Sequence, residues 1–196
     1  MKHISTRLTH IPFLLLTLGS TLWAHAEPQM PKPSPEHQRL HDFVGNWYTE
    51  GETLPGPMGA EAGEGVPGEK FTSTDHNEML GDFFVIFHSD ERDATGPGKE
   101  IRIKKISIMG YDPERKLYTF EQFSDQGERA TLTATVSGDT WVFLWPATDA
   151  AKEGGKRLKG RLTVKKVSPT SSTFTNEVSI DGGPWTKIQE GKATKK

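Results

Sequence analysis

Leu158, Gly160, Leu162 and Val164 alternate with Arg157, Lys159, Arg161, Thr163 and Lys165. A period of two puts the first set on one face of a strand and the charged set on the other. The same alternation runs through Phe174, Asn176, Val178 and Ile180, and through Ala130, Leu132, Ala134 and Val136. Trp141, Phe143 and Trp145 share one face, with Val142 and Leu144 on the opposite one. Such runs, bounded by turn residues, predict strands near 47–51, 70–80, 82–90, 101–109, 116–124, 129–136, 140–146, 157–167, 172–180 and 184–191. Asp112-Pro113-Glu114-Arg115 suits a type I turn, and Asp181-Gly182-Gly183 supplies the positive φ of a tight hairpin. About ten short strands in succession predict an all-β antiparallel meander, closed as a barrel or paired as a sandwich.

One helix precedes the strands. Ser34 is placed as N-cap, Pro35 as N1 and Glu36 in the first turn, while Leu40, Phe43 and Val44 form one apolar stripe that ends at Gly45. Phe83-Phe84-Val85-Ile86-Phe87 is apolar on both faces, so its outer face needs a cover, and the helix is the expected one. Residues 51–69 hold six glycines and three prolines. That composition predicts a long loop, of the kind that serves as a lid or flap.

The N-terminus changes the picture of where the protein works. Lys2 and Arg7 precede the apolar run Ile11–Leu18, and Ala24-His25-Ala26 offers a small-x-small cleavage site. This is the pattern of a secretory signal, too short in its apolar part to span a bilayer. Cleavage after Ala26 is expected, then a Pro-rich leader over 27–33 and a single domain over 34–196. No other segment has the length and apolarity to span as a helix, so a soluble mature protein is expected, and the secretory signal in a chain without cysteine points to the periplasm or beyond. Losing Lys2 and Arg7 from 24 basic residues, the mature chain would carry 22 basic and 26 acidic residues, a net −4. A mildly acidic chain argues against nucleic acid as a partner. The absence of cysteine excludes disulfides, thiolate metal sites and a cysteine nucleophile. Gly63 to Lys70 lacks the lysine, the preceding strand and the following helix of a phosphate loop. The basic run from Lys152 to Lys166 reads as a solvated outer face.

Several longer motifs occur in order: Ser34-Pro35-Glu36-His37, Phe43-Val44-Gly45-x-Trp47, Gly110-Tyr111-Asp112-Pro113-Glu114-x-Lys116-x-Tyr118 and Asp181-Gly182-Gly183-x-Trp185. Ser168-Pro169-Thr170-Ser171 and the closing Glu190-Gly191-Lys192-Ala193-Thr194-Lys195 complete the set. Together they resemble a bacterial exported family known as a domain of unknown function, number fifteen seventy-nine. A helix followed by Gly-x-Trp at the first strand also resembles the calycin plan of lipocalins. The resemblance implies an antiparallel calycin-like β-barrel of about ten strands, with the short N-terminal helix closing one end. It implies no activity and carries over no functional residue. Nitrobindin-like calycin relatives bind haem through a histidine toward the C-terminus. This chain has none after His88, so haem would need His76 or His88.

Candidate chemistry is therefore sought in the barrel interior. A small apolar or amphipathic molecule is the expected partner, and no cofactor or metal is expected. The candidate ligand-binding residues are Trp47, Phe84, His88, Glu121, Trp141, Phe143, Trp145 and Asn176, with Trp185 as a further aromatic. His88 continues the face of Phe84 and Ile86, and Glu121 that of Leu117 and Phe123. An enzyme acting on such a molecule would need a carboxylate or His with a perturbed pKa inside the cavity, with Glu121 and His88 the leading candidates. A barrel filled by its own aromatic residues, with a partner surface outside, is the third reading. His37 and His41 stand four residues apart without a third metal ligand nearby, and read as a solvated helix face.

Overall fold

Ser34, extended at φ −86°, is the N-cap of helix α1 (Pro35–Gln38), which tightens into a 3-10 turn over Arg39–Asp42. The computed structural model describes residues 32–55, 68–94, 100–146 and 157–196. The predicted signal segment, the leader up to residue 31, the interior of the Gly/Pro loop (56–67), Lys152 and Lys156 lie outside the described residues.

Ten strands follow: β1 (Gly45–Thr53), β2 (Lys70–Leu80), β3 (Phe84–Ala94), β4 (Glu100–Asp112), β5 (Leu117–Ser124), β6 (Arg129–Ser137), β7 (Thr140–Trp145), β8 (Leu158–Ser168), β9 (Ser171–Ile180) and β10 (Thr186–Lys195). Each pairs antiparallel with the next, and β1 pairs with β10, so the meander closes into a barrel with no free edge. The turns form as their residues dictate. Asp112 Oδ1 accepts from the backbone N–H groups of Glu114 and Arg115, each at 3.0 Å. Asp181 and Gly182 take φ of 51° and 78°, which turns β9 into β10.

The alternating faces of β6 and β7 fall as their pattern predicts. Leu132, Ala134, Trp141 and Phe143 are buried, and they join Leu40, Val85, Met109 and Tyr118 in one core at the helix end of the barrel. The helix plugs that end. Leu40 is fully buried, and the Phe43 ring lies 4.9 Å from Trp141 and 5.7 Å from Phe87, centre to centre. Tyr118 donates from its hydroxyl to the Glu36 carbonyl oxygen at 2.9 Å, tying β5 to the first helical turn.

Two expectations need correction here. The helix sits in the mouth of the barrel, so it leaves the outer face of β3 bare. Phe84 is 43% exposed, and Ile106 and Ile108 on β4 and Phe123 on β5 are exposed with it. His37 is buried and His41 exposed, so the pair is not one solvated face. His37 Nδ1 accepts from the Ser34 backbone N–H at 3.0 Å, and its ring meets Phe83 and Tyr111 edge-on. The residue closes the helix start where a Glu or Gln often does. Among the described residues no group of three or more His, Asp or Glu side chains is arranged to hold a metal ion.

Candidate functional site

Below the plug the lumen is not filled. A cavity of about 400 Å³ lies inside the barrel, within the range of small-molecule sites. Its apolar wall is aromatic: Phe43 from the plug, Trp47 from β1, Phe71 and Phe87 from β2 and β3, Trp145 from β7 and Phe174 from β9. The Trp47 indole is held in place, because Nε1 donates to the Phe43 carbonyl at 2.8 Å. Trp145 leans over Gly160 on the paired strand, where a Cβ would come within 2.6 Å of the indole.

Another part of the lining is polar and charged. It comes from alternate positions of β2 and β3, whose inward set is Ser73, Asp75 and Asn77, then Ser89 and Glu91. Register aligns Trp47, Asp75, Ser89 and Lys105 across β1 to β4. Ser73 donates to one Asp75 carboxylate oxygen at 3.0 Å, and Thr49 reaches the other at 3.4 Å. Burial pushes the Asp75 carboxyl above its ordinary range. Hydroxyl bonds from Ser89, Ser73 and Thr49 pull it back, and the nearby Glu91 charge pushes it up again. Lys105 Nζ lies 2.6 Å from Glu91, and Lys166 Nζ lies 2.5 Å from Asp42. Asn176 lines the cavity from β9, and its amide donates to Gln189 Oε1 on β10 at 3.2 Å.

The sequence candidates divide between inside and outside. Trp47, Trp141, Trp145 and Asn176 line the cavity, and Phe143 packs in the core beside it. Phe84, His88 and Glu121 do not face the lumen. Phe84 packs outside over Gly110, its register partner. His88 stacks on His76 at 6.4 Å and lies 3.9 Å from Glu78. Glu121 accepts from Thr131 at 2.8 Å and lies 3.4 Å from Arg129. Alternation groups these residues with the right neighbours, but the whole group points outward. In β3 both faces are apolar, and hydropathy alone cannot tell them apart. Trp185 also lies away from the cavity, with the Arg161 guanidinium 4.4 Å from its ring centre. With His76 and His88 outside, neither presents an imidazole to a group in the lumen.

The polar wall is what sequence reasoning missed. Phe71, Ser73, Asp75, Asn77 and Met79 do alternate with Thr72, Thr74, His76 and Glu78, but both sets are polar in the middle. The available signal was the aromatic start and apolar end of the first set.

The sequence pattern of a protein family of unknown function, DUF1579, matches residues 32–195. The chain belongs to that family. The match spans the helix and all ten strands of the DUF1579 barrel. The DUF1579 chain is also similar to a crystal structure titled Rv2717c from M. tuberculosis. The two share 14% identity at a TM-score of 0.54, over 84% of this chain and 99% of the other. At that identity the likeness shows the fold. No curated protein matches the DUF1579 chain.

Proposed function

We propose that this DUF1579 protein is an exported, non-enzymatic binding barrel that holds a small apolar or amphipathic molecule in its lumen. The observation that carries the reading is the 400 Å³ cavity, lined by both aromatic and polar side chains, behind a helix plug. An interior built only for stability would close such a space, because unfilled volume costs contacts. The calycin-like arrangement of helix and meander is compatible with this role. Export rests on the N-terminal pattern of Lys2, Arg7, the apolar run and Ala24-His25-Ala26.

The enzymatic alternative loses its two leading acid–base candidates, since His88 and Glu121 stand outside, and keeps one carboxyl of raised pKa in the lumen, Asp75, which has no second acid–base group assigned to work with it. Native mass spectrometry on protein isolated from its host envelope, followed by denaturing extraction, tests the proposal. The expected result is an N-terminus at Glu27 and a stoichiometric small molecule released on denaturation. An apo mass that stays unshifted against lipid and metabolite pools overturns the binding role, and retention of residues 1–26 overturns the cleavage.

A further inference from the structure

Among the described residues, the charged groups lining the cavity are Asp42, Asp75, Glu91, Lys105 and Lys166. Two of the three acids already have a lysine: Glu91 has Lys105 and Asp42 has Lys166. Asp75 is left with hydroxyl donors, among them Ser73 and Thr49 at 3.0 and 3.4 Å. Two residues along the same face of β2 stands Asn77, 5% exposed. Its amide nitrogen donates to the Phe43 carbonyl at 3.0 Å, and its Oδ1 has no partner among the described residues. Among the described residues, the lumen thus offers a carboxylate without a cation and, beside it, a buried carbonyl oxygen without a donor. Unmade bonds of this kind are costly inside a protein. Across the ladder from Asn77 and Asp75 stand Phe87 and Trp47, so apolar surface begins at once.

A protonated primary amine matches this arrangement, because an ammonium carries a positive charge and three donors and accepts nothing. A carboxylate ligand does not. It would add a further negative charge beside Asp75 and Glu91, and would have to take Lys105 or Lys166 from its present acid. The Trp141 Nε1, also buried and without a partner, lies against the plug and is a donor, so it does not compete for the amine.

We propose that the cavity selects a protonated amine carried on an apolar chain or ring. The ammonium sits between the Asp75 carboxylate and Asn77 Oδ1, and the apolar part lies along the aromatic wall. This rests on the binding-barrel reading above and adds the ligand's headgroup to it. Ionised Asp75, disfavoured by burial when alone, is then compensated by the ligand's own charge.

The test is a calorimetric titration of the mature protein near pH 7.5 with decylamine, decanol and decanoate, each below its micelle-forming concentration. Decylamine is expected to bind at least tenfold more tightly than decanol, and decanoate more weakly than either. Asp75→Asn should erase the preference of decylamine over decanol, with a cooperative melting curve to show that the variant is folded. Asp75→Ser provides the same comparison should the amide disturb the site. Decanoate binding as well as decylamine, or an amine preference that survives both substitutions, overturns the proposal while the binding barrel stands. Failure of all three probes overturns the headgroup assignment, while the binding barrel stands or falls on the native mass measurement above.

Discussion

Gly51 and Gly191 are register partners across the β1–β10 seam that closes the barrel. Phe71 pairs with Gly51 from one side, and Phe174 with Gly191 from the other. The two rings lean over the glycines, with centres 6.0 Å apart. A Cβ on Gly191 would meet the Glu50 carbonyl oxygen, come within 2.7 Å of the Gly51 Cα and 2.7 Å of the Phe174 ring. Two of those neighbours are backbone and cannot rotate away. Gly191→Ala should therefore destabilise the fold by about 2 kcal/mol, as overpacking does. Chemical denaturation of both proteins measures it. The same change pushes the Phe174 ring toward the cavity, so ligand binding should weaken as well.

Tyr118 gives a second prediction, at alkaline pH. Its hydroxyl is bonded to the Glu36 carbonyl, and burial pushes its pKa up to about 12 from 10.0. The folded chain therefore holds this proton more tightly than the unfolded chain. The stabilisation is complete below pH 10 and is lost as the pH rises toward 12. Tyr118→Phe removes both the bond and this loss. It should cost about 1 kcal/mol at neutral pH. Thermal melts between pH 9 and 12 should show wild type losing its advantage over the variant.

Asp75 behaves with the opposite consequence for neutral pH. Its folded carboxyl is raised above the ordinary 3.8, chiefly by burial, so the ionised form costs stability. That cost is present above the folded pKa and disappears as the pH falls below 3.8. Asp75→Asn should thus melt higher than wild type near pH 7, with the gap closing in acid. Glu36, Glu50 and Asp90 shift downward and act the other way, so the difference between the two proteins is the quantity to follow. A variant less stable than wild type at neutral pH would count against the cost assigned to the half-buried carboxylate.

Much of the barrel is legible in the sequence because strand residues repeat every second position and turn residues have fixed geometry. Alternation alone groups Trp141 with Phe143, Leu162 with Val164, and Phe174 with Asn176, and these faces are the inward ones. Gly51 is less legible. It falls both at the end of the first predicted strand and at the opening of the glycine-rich loop, whereas β1 continues through it to Thr53, beneath the Phe71 ring. Only pairing with a strand at the far end of the chain explains why a glycine belongs there. Asp75 is hidden for a related reason. An aspartate on a polar strand looks solvated, and nothing local says that its face lines a lumen.

The division between inward and outward candidates leads to the last prediction. Trp145 faces the cavity, whereas His88 and Glu121 sit outside with Glu78 and with Thr131 and Arg129. Those outer ion pairs are solvent-exposed, where each contributes on the order of 0–1 kcal/mol. His88→Ala and Glu121→Gln should leave the affinity for a lumen ligand within about twofold, and stability within about 0.5 kcal/mol. Trp145→Ala removes an aromatic wall and leaves Gly160 uncovered, so affinity should fall by roughly tenfold or more. Titration of decanol into the three variants compares them directly, with melting curves to confirm that each is folded. A large loss at His88 or Glu121 with none at Trp145 would move the site from the lumen to the outer face of β3–β5, where Phe84, Ile106, Ile108 and Phe123 lie exposed.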